Sequence, residues 1–81
     1  MSAQPSYAQL ADTLSLPELV AKYRRILRAT ITCLRTERDI AKYAPREDDR
    51  RQSRSRAAYY EGEVHGYLRT YRHYNRILRA S

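Results

Sequence analysis

Two heptapeptides carry most of the chemistry open to this chain. Tyr23-Arg24-Arg25-Ile26-Leu27-Arg28-Ala29 returns as Tyr74-Asn75-Arg76-Ile77-Leu78-Arg79-Ala80, with six of seven positions matching. Each copy sets a phenol and an aliphatic pair among guanidinium groups. Guanidinium forks grip carboxylate and phosphate oxygens in pairs and stack on aromatic rings. Of the 16 basic residues, only Lys22 and Lys42 are not arginine. All the aromatic residues are tyrosine, eight in number, and tyrosine buries a ring while its hydroxyl seeks water or a hydrogen bond. These residue types suit the recognition of anions better than the making of bonds.

The other reactive side chains do not assemble into a catalytic set. His65 and His73 are eight residues apart, about 12 Å along a helix, too far to share a metal. Glu61 and His65 stand one turn apart, but two ligands do not make a zinc site. Cys33 has no activating base beside it and is expected to be a buried thiol. A lone cysteine excludes an internal disulfide and makes the cytoplasm the default expectation. There is no phosphate loop, no complete Ser-His-Asp set and no glycine-rich turn. The sequence is therefore read as non-enzymatic, with no metal and no cofactor.

Charge narrows the choice of partner. The net charge is +7. Residues 1–21 hold Asp12 and Glu18 and no base, so no basic-then-apolar leader is expected. All the bases fall in residues 22–81. Such a field draws an acidic protein face, a nucleic acid or an anionic membrane surface. Residues 1–81 are read as a single small helical domain. A core of this size is marginal alone, so a homo-oligomer, most simply a dimer, or a bound partner is expected. No apolar run approaches the ~20 residues of a membrane span.

The elements that must position these residues are helices. Ser6-Tyr7-Ala8-Gln9 fits a capping box and predicts a short helix over 5–13. Ser15-Leu16-Pro17-Glu18 is a stronger box, with Leu14 and Leu19 at staple positions. It predicts a long helix over 16–43, stopped by Pro45, which disfavours helical geometry at Ala44. Its apolar stripe is Leu16, Leu19, Val20, Tyr23, Ile26, Leu27, Thr30, Cys33, Leu34, Ile40 and Ala41, with Ile31 off the stripe. Arg35 is placed to pair with Asp39 one turn on. Residues 45–53 contain no aliphatic side chain and read as a polar connection. A second long helix is predicted over 54–79, with a stripe of Ala57, Tyr60, Val64, Tyr67, Leu68, Tyr71, Tyr74 or Asn75, and Leu78. Residues 9–20 also resemble the start of a helix-turn-helix, with Ala11 and Ser15 at its small and turn positions. That resemblance would imply DNA contact. The long, leucine-led helix that follows departs from a recognition helix.

The fold class expected is all-α. Two long helices form an antiparallel hairpin, joined by a short N-terminal helix and completed as a bundle by dimerisation. Facing residue numbers should add to about 98, which brings the two heptapeptides together at the open end. The expected working surface is Lys22, Arg24, Arg25, Arg28, Arg69, Arg72, His73, Tyr74, Arg76 and Arg79. Gly62 and Gly66, both inside a helix at a cost of ~1 kcal/mol each against Ala, mark an expected interface with Tyr59. Tyr60, Tyr67 and Tyr71 read as core, while Tyr59 and Tyr74 read as outward contacts. The function expected is that of an inhibitor or adaptor, such as an accessory protein of a phage or mobile element. It would dock a basic Tyr/Arg face onto an acidic protein. Nucleic acid contacted through the arginines is the alternative, and a membrane surface ranks below both.

Overall fold

The computed structural model describes residues 14–81. Two helices pack against each other as a hairpin: α1, Leu16–Tyr43, and α2, Glu47–Ala80. The predicted helix over 5–13 lies outside the described residues. At about 1.5 Å per residue the helices are about 42 and 51 Å long.

α1 starts where its sequence dictates. The Ser15 side chain accepts from the Glu18 backbone N–H at 3.3 Å, and the Glu18 carboxylate accepts from the Ser15 N–H at 3.4 Å. Two orphan donors of the first turn are thereby satisfied. Pro17 sits in that first turn, where its missing N–H costs nothing. The helix stops at Tyr43, and Ala44 is extended ahead of Pro45.

The expected polar connection over 45–53 is a correction. α2 already begins at Glu47, so only three residues, 44–46, join the helices. The acidic turn Glu47, Asp48 and Asp49 complements the positive end of the helix dipole. The Arg50 guanidinium donates to the carbonyls of Ala44, at 2.7 Å, and Pro45, at 3.2 Å, and pairs with Glu47. Arg54 reaches the other oxygen of Glu47 at 3.2 Å. The hydrogen bond from Arg50, then that from Arg54, hold the Glu47 carboxyl below its ordinary pKa. The early start leaves the register intact. Three extended residues span roughly 10 Å, about the rise of the first two turns of α2, so the connection climbs alongside them.

Half-buried and buried positions follow a regular alternation of fours and threes in both helices. On α1 they include Leu16, Val20, Tyr23, Leu27, Thr30, Leu34, Glu37 and Ala41. On α2 they include Arg50, Ser53, Ala57, Tyr60, Val64, Tyr67, Tyr71, Tyr74 and Leu78. That alternation is the heptad pattern of a coiled-coil seam. Val20 and Leu34, each 6 % exposed, are its most buried apolar side chains. Thr30 is also buried, and its hydroxyl donates to the Ile26 carbonyl at 2.8 Å. Cross-helix contacts join Tyr23 to Tyr74, Arg24 to Tyr71 and Arg38 to Glu61. Their numbers add to within three of the predicted 98.

Two seam assignments differ from the sequence reading. Cys33, expected to be buried, is exposed, and so is Ile40. Their place in the alternation belongs to Glu37, whose neighbours in the seam are Leu34 and Ala41. A carboxylate escapes an apolar-stripe reading, yet the heptad spacing selects it. Its Oε2 is buried without a hydrogen-bond partner, and Arg56 stands 3.9 Å from Oε1. An orphaned acceptor of this kind costs about 1–3 kcal/mol, and an apolar replacement of similar size is often stabilising. Glu37→Leu should therefore raise the stability of the chain by about 1–2 kcal/mol, read from thermal or urea unfolding followed by circular dichroism. A lower midpoint would mean that the Arg56 contact outweighs the orphaned oxygen.

Candidate functional site: the open half of the hairpin

Charge is sorted along the hairpin. Residues 19–36 of α1 and 64–81, the matching half of α2, contain no Asp or Glu. The same segments hold Lys22, Arg24, Arg25, Arg28, Arg35, Arg69, Arg72, Arg76 and Arg79. The ion pairs among the described residues all lie between residues 37 and 61: Arg38–Glu61, Arg50–Glu47, Arg54–Glu47 and Arg56–Glu37. The expected Arg35–Asp39 pair is not among them. None of the open-half cations makes an ion pair among the described residues. The hairpin is thus neutralised at its closed half and bare at its open half.

The seam fixes how the open half is built. Tyr23 and Tyr74 stack with ring centroids 5.7 Å apart and planes 23° apart. Tyr74, expected to reach outward, is therefore half-buried in the seam, with His73 5.5 Å from its ring. Next to this stack the Arg24 guanidinium donates to the Tyr71 hydroxyl at 3.3 Å and lies 6.0 Å from the ring centroid. The bond raises the pKa of Arg24 and lowers that of Tyr71. Burial pushes the Tyr71 phenol the other way, while the charges of Arg24, Arg79 and Arg28 push it further down. One guanidinium, that of Arg24, thus contacts the Tyr71 phenol, and the charges of Arg79 and Arg28 act on it from farther off.

Helical periodicity divides the ten residues expected to form the surface. At about 100° per residue, Arg24 and Arg28 lie on one edge of α1, and Arg72 and Arg79 lie on the edge of α2 beside them. Arg76, seven residues from Arg69, lies on the outer face of α2 beyond that edge. Together with Arg72 it lines a shallow concavity of about 440 Å³ with His65, Leu68, Arg69 and His73. Arg72, Asn75, Arg76 and Arg79 line a second one of about 280 Å³. Arg25 falls opposite the α1 seam, and Lys22 falls toward the other side. Arg69 and His73 lie on the outer face of α2. The structure thus joins Arg24, Arg28, Arg72 and Arg79 into one face, puts Arg76 in line with Arg69 on the outer face of α2, and places Lys22 and Arg25 away from the joined face. Residue counting along the chain treats all ten alike, because it lacks the direction of each side chain.

Gly62 and Gly66 also lie on the outer face of α2, where an added Cβ would meet nothing within 4 Å. No contact within the hairpin accounts for them. Tyr59 beside them is 64 % exposed, and the neighbouring Glu63 carboxylate holds its phenol above the ordinary pKa. Among the described residues no three His, Cys, Asp or Glu side chains come together as a metal set, and no helix is long and apolar enough to cross a membrane. Comparisons with protein-family models, curated proteins and solved structures find no significant match to this chain.

The Tyr71 environment yields a direct titration test. Followed by ultraviolet absorbance or tyrosine NMR, the Tyr71 phenol should ionise at lower pH than the Tyr59 phenol. Arg24→Gln should move the Tyr71 transition upward and leave that of Tyr59 in place. A Tyr71 transition unmoved by Arg24→Gln would show that the cross-helix bond does not form in solution.

Proposed function

We propose that this chain is a non-enzymatic interaction protein, an inhibitor or adaptor, that docks the open-half arginine face onto an acidic protein surface. The observation that supports this reading is the segregation of charge. Nine cations share residues 19–36 and 64–81, which hold no acid, while the closed half is laced with ion pairs. Unpaired guanidinium groups held on helices are preorganised donors for carboxylates. Their common sign also steers an acidic partner toward one end of the molecule.

Nucleic acid offers the same anionic chemistry through its phosphates. Acidic protein is preferred because the tyrosines are committed elsewhere. Binding of single strands relies on exposed rings for base stacking, whereas Tyr23, Tyr67, Tyr71 and Tyr74 are half-buried. Tyr59, the well-exposed tyrosine of α2, lies on the outer face rather than on the arginine face.

Capture of partners from the native host, with and without nuclease, decides between the two classes. A retained protein that survives nuclease supports docking to protein. A signal lost with nuclease transfers the reading to nucleic acid. Charge reversal then locates the surface. Arg28→Glu with Arg72→Glu should weaken the captured interaction by roughly a hundredfold, on the scale of buried charge-assisted contacts. Arg25→Glu should weaken it by no more than about threefold, as expected of a charge outside the contact. Equal effects from the two substitutions would mean that net charge, not this face, is recognised.

A further inference from the structure

We propose that the open-half face is a groove for one amphipathic α-helix of the partner, which packs an apolar seam on Ile31 and Leu68 and carries carboxylates on both flanks. This rests on the acidic-protein reading and specifies the form of the partner. The groove follows from a period of seven. Arg24, Ile31 and Arg38 are seven residues apart on α1, and Glu61, Leu68 and Asn75 are seven apart on α2. Residues seven apart fall on nearly the same side of a helix. The Arg24–Tyr71 bond and the Arg38–Glu61 pair show that this edge of α1 faces α2. Ile31 and Leu68, the central members, therefore meet on the same edge of the hairpin. Both are half-buried, and both lie to one side of the seam rather than in it.

Around this apolar pair the arginines form two rims. Arg24, Arg28 and Arg35 stand on α1, and Arg72 and Arg79 on α2, at steps of four or seven residues. Steps of four and seven repeat about every 6 and 10 Å along the axis, spacings at which carboxylates recur along one flank of a helix. A helix laid between the rims would complete a three-helix bundle. It would supply core to a hairpin whose only strongly buried apolar side chains among the described residues are Val20 and Leu34. A second copy fits poorly. Its open half has the same sign, and its acids outside ion pairs, Glu18, Asp39, Asp48, Asp49 and Glu63, are scattered over both helices rather than lined along two flanks of one. Residues 1–13 supply a single acid, Asp12. A phosphate backbone matches the rims but has nothing to bury against Ile31 and Leu68.

The test is selection with the full chain as bait against a displayed library of helices about three heptads long. Seam positions vary between Leu, Ala and Ser, and flank positions between Glu, Lys and Ser. The expected result is enrichment of clones with an apolar seam and Glu on both flanks. Their binding should fall by roughly tenfold or more with Ile31→Ser. The exposed Arg72→Glu should have a similar effect, with unchanged helical circular dichroism in both variants. Enrichment of Glu without regard to the seam, or indifference to Ile31→Ser, overturns the helix groove and leaves acidic docking standing. Failure of any acidic clone to enrich overturns both. A short DNA duplex that binds while no acidic clone enriches assigns the face to nucleic acid.

Discussion

Everything in this molecule hangs on an alternation of three and four residues repeated along two helices. It gives each helix a seam that stays turned toward its neighbour over its whole length. The seam composition then sets the spacing. Small residues, Ala41, Ser53 and Ala57, line it at the closed end, where three residues must bridge the helices. Tyrosines fill it from Tyr60 onward. A ring brings more volume than a methyl group, and its hydroxyl tolerates the wet margin of a two-helix structure. The Tyr23–Tyr74 stack locks the register at the far end. Arg50, bonded to two connection carbonyls, locks it at the near end.

Charge follows from register. Because facing numbers add to about 98, the acid-free stretch of α1 lies along the acid-free stretch of α2. Neither stretch alone would make a two-sided cationic face. A slip of one heptad would bring Glu61 and Glu63 toward the arginines of α1 and neutralise much of it. The same register sets Glu37 in the seam and Arg56 beside it, at a cost in hydrogen bonding that the open half does not bear. Paired and unpaired charge thus occupy opposite ends of one hairpin.

Much of this was legible in the residues, and the failures have physical causes. The Ser15–Glu18 box and Pro45 marked both ends of α1, because capping and proline geometry are local. The start of α2 was not legible, because a stretch with no aliphatic residue gives no periodic signal. Its helicity comes from the Glu47–Asp49 acids at the dipole and from Arg50 folding back on the connection. Cys33 was assigned to the core by its hydrophobic type, while the seam period passes it over and selects Glu37. The cationic residues of the open end were identifiable. Which of them share a face was not, since that depends on the direction each helix turns toward the other.

The register is the claim on which the rest depends, and interhelical nuclear Overhauser effects test it most directly. The account predicts contacts between the rings of Tyr23 and Tyr74 and between the side chains of Ile31 and Leu68 in the same sample. Contacts of Tyr23 with Tyr67 instead, or none between the helices, would contradict it.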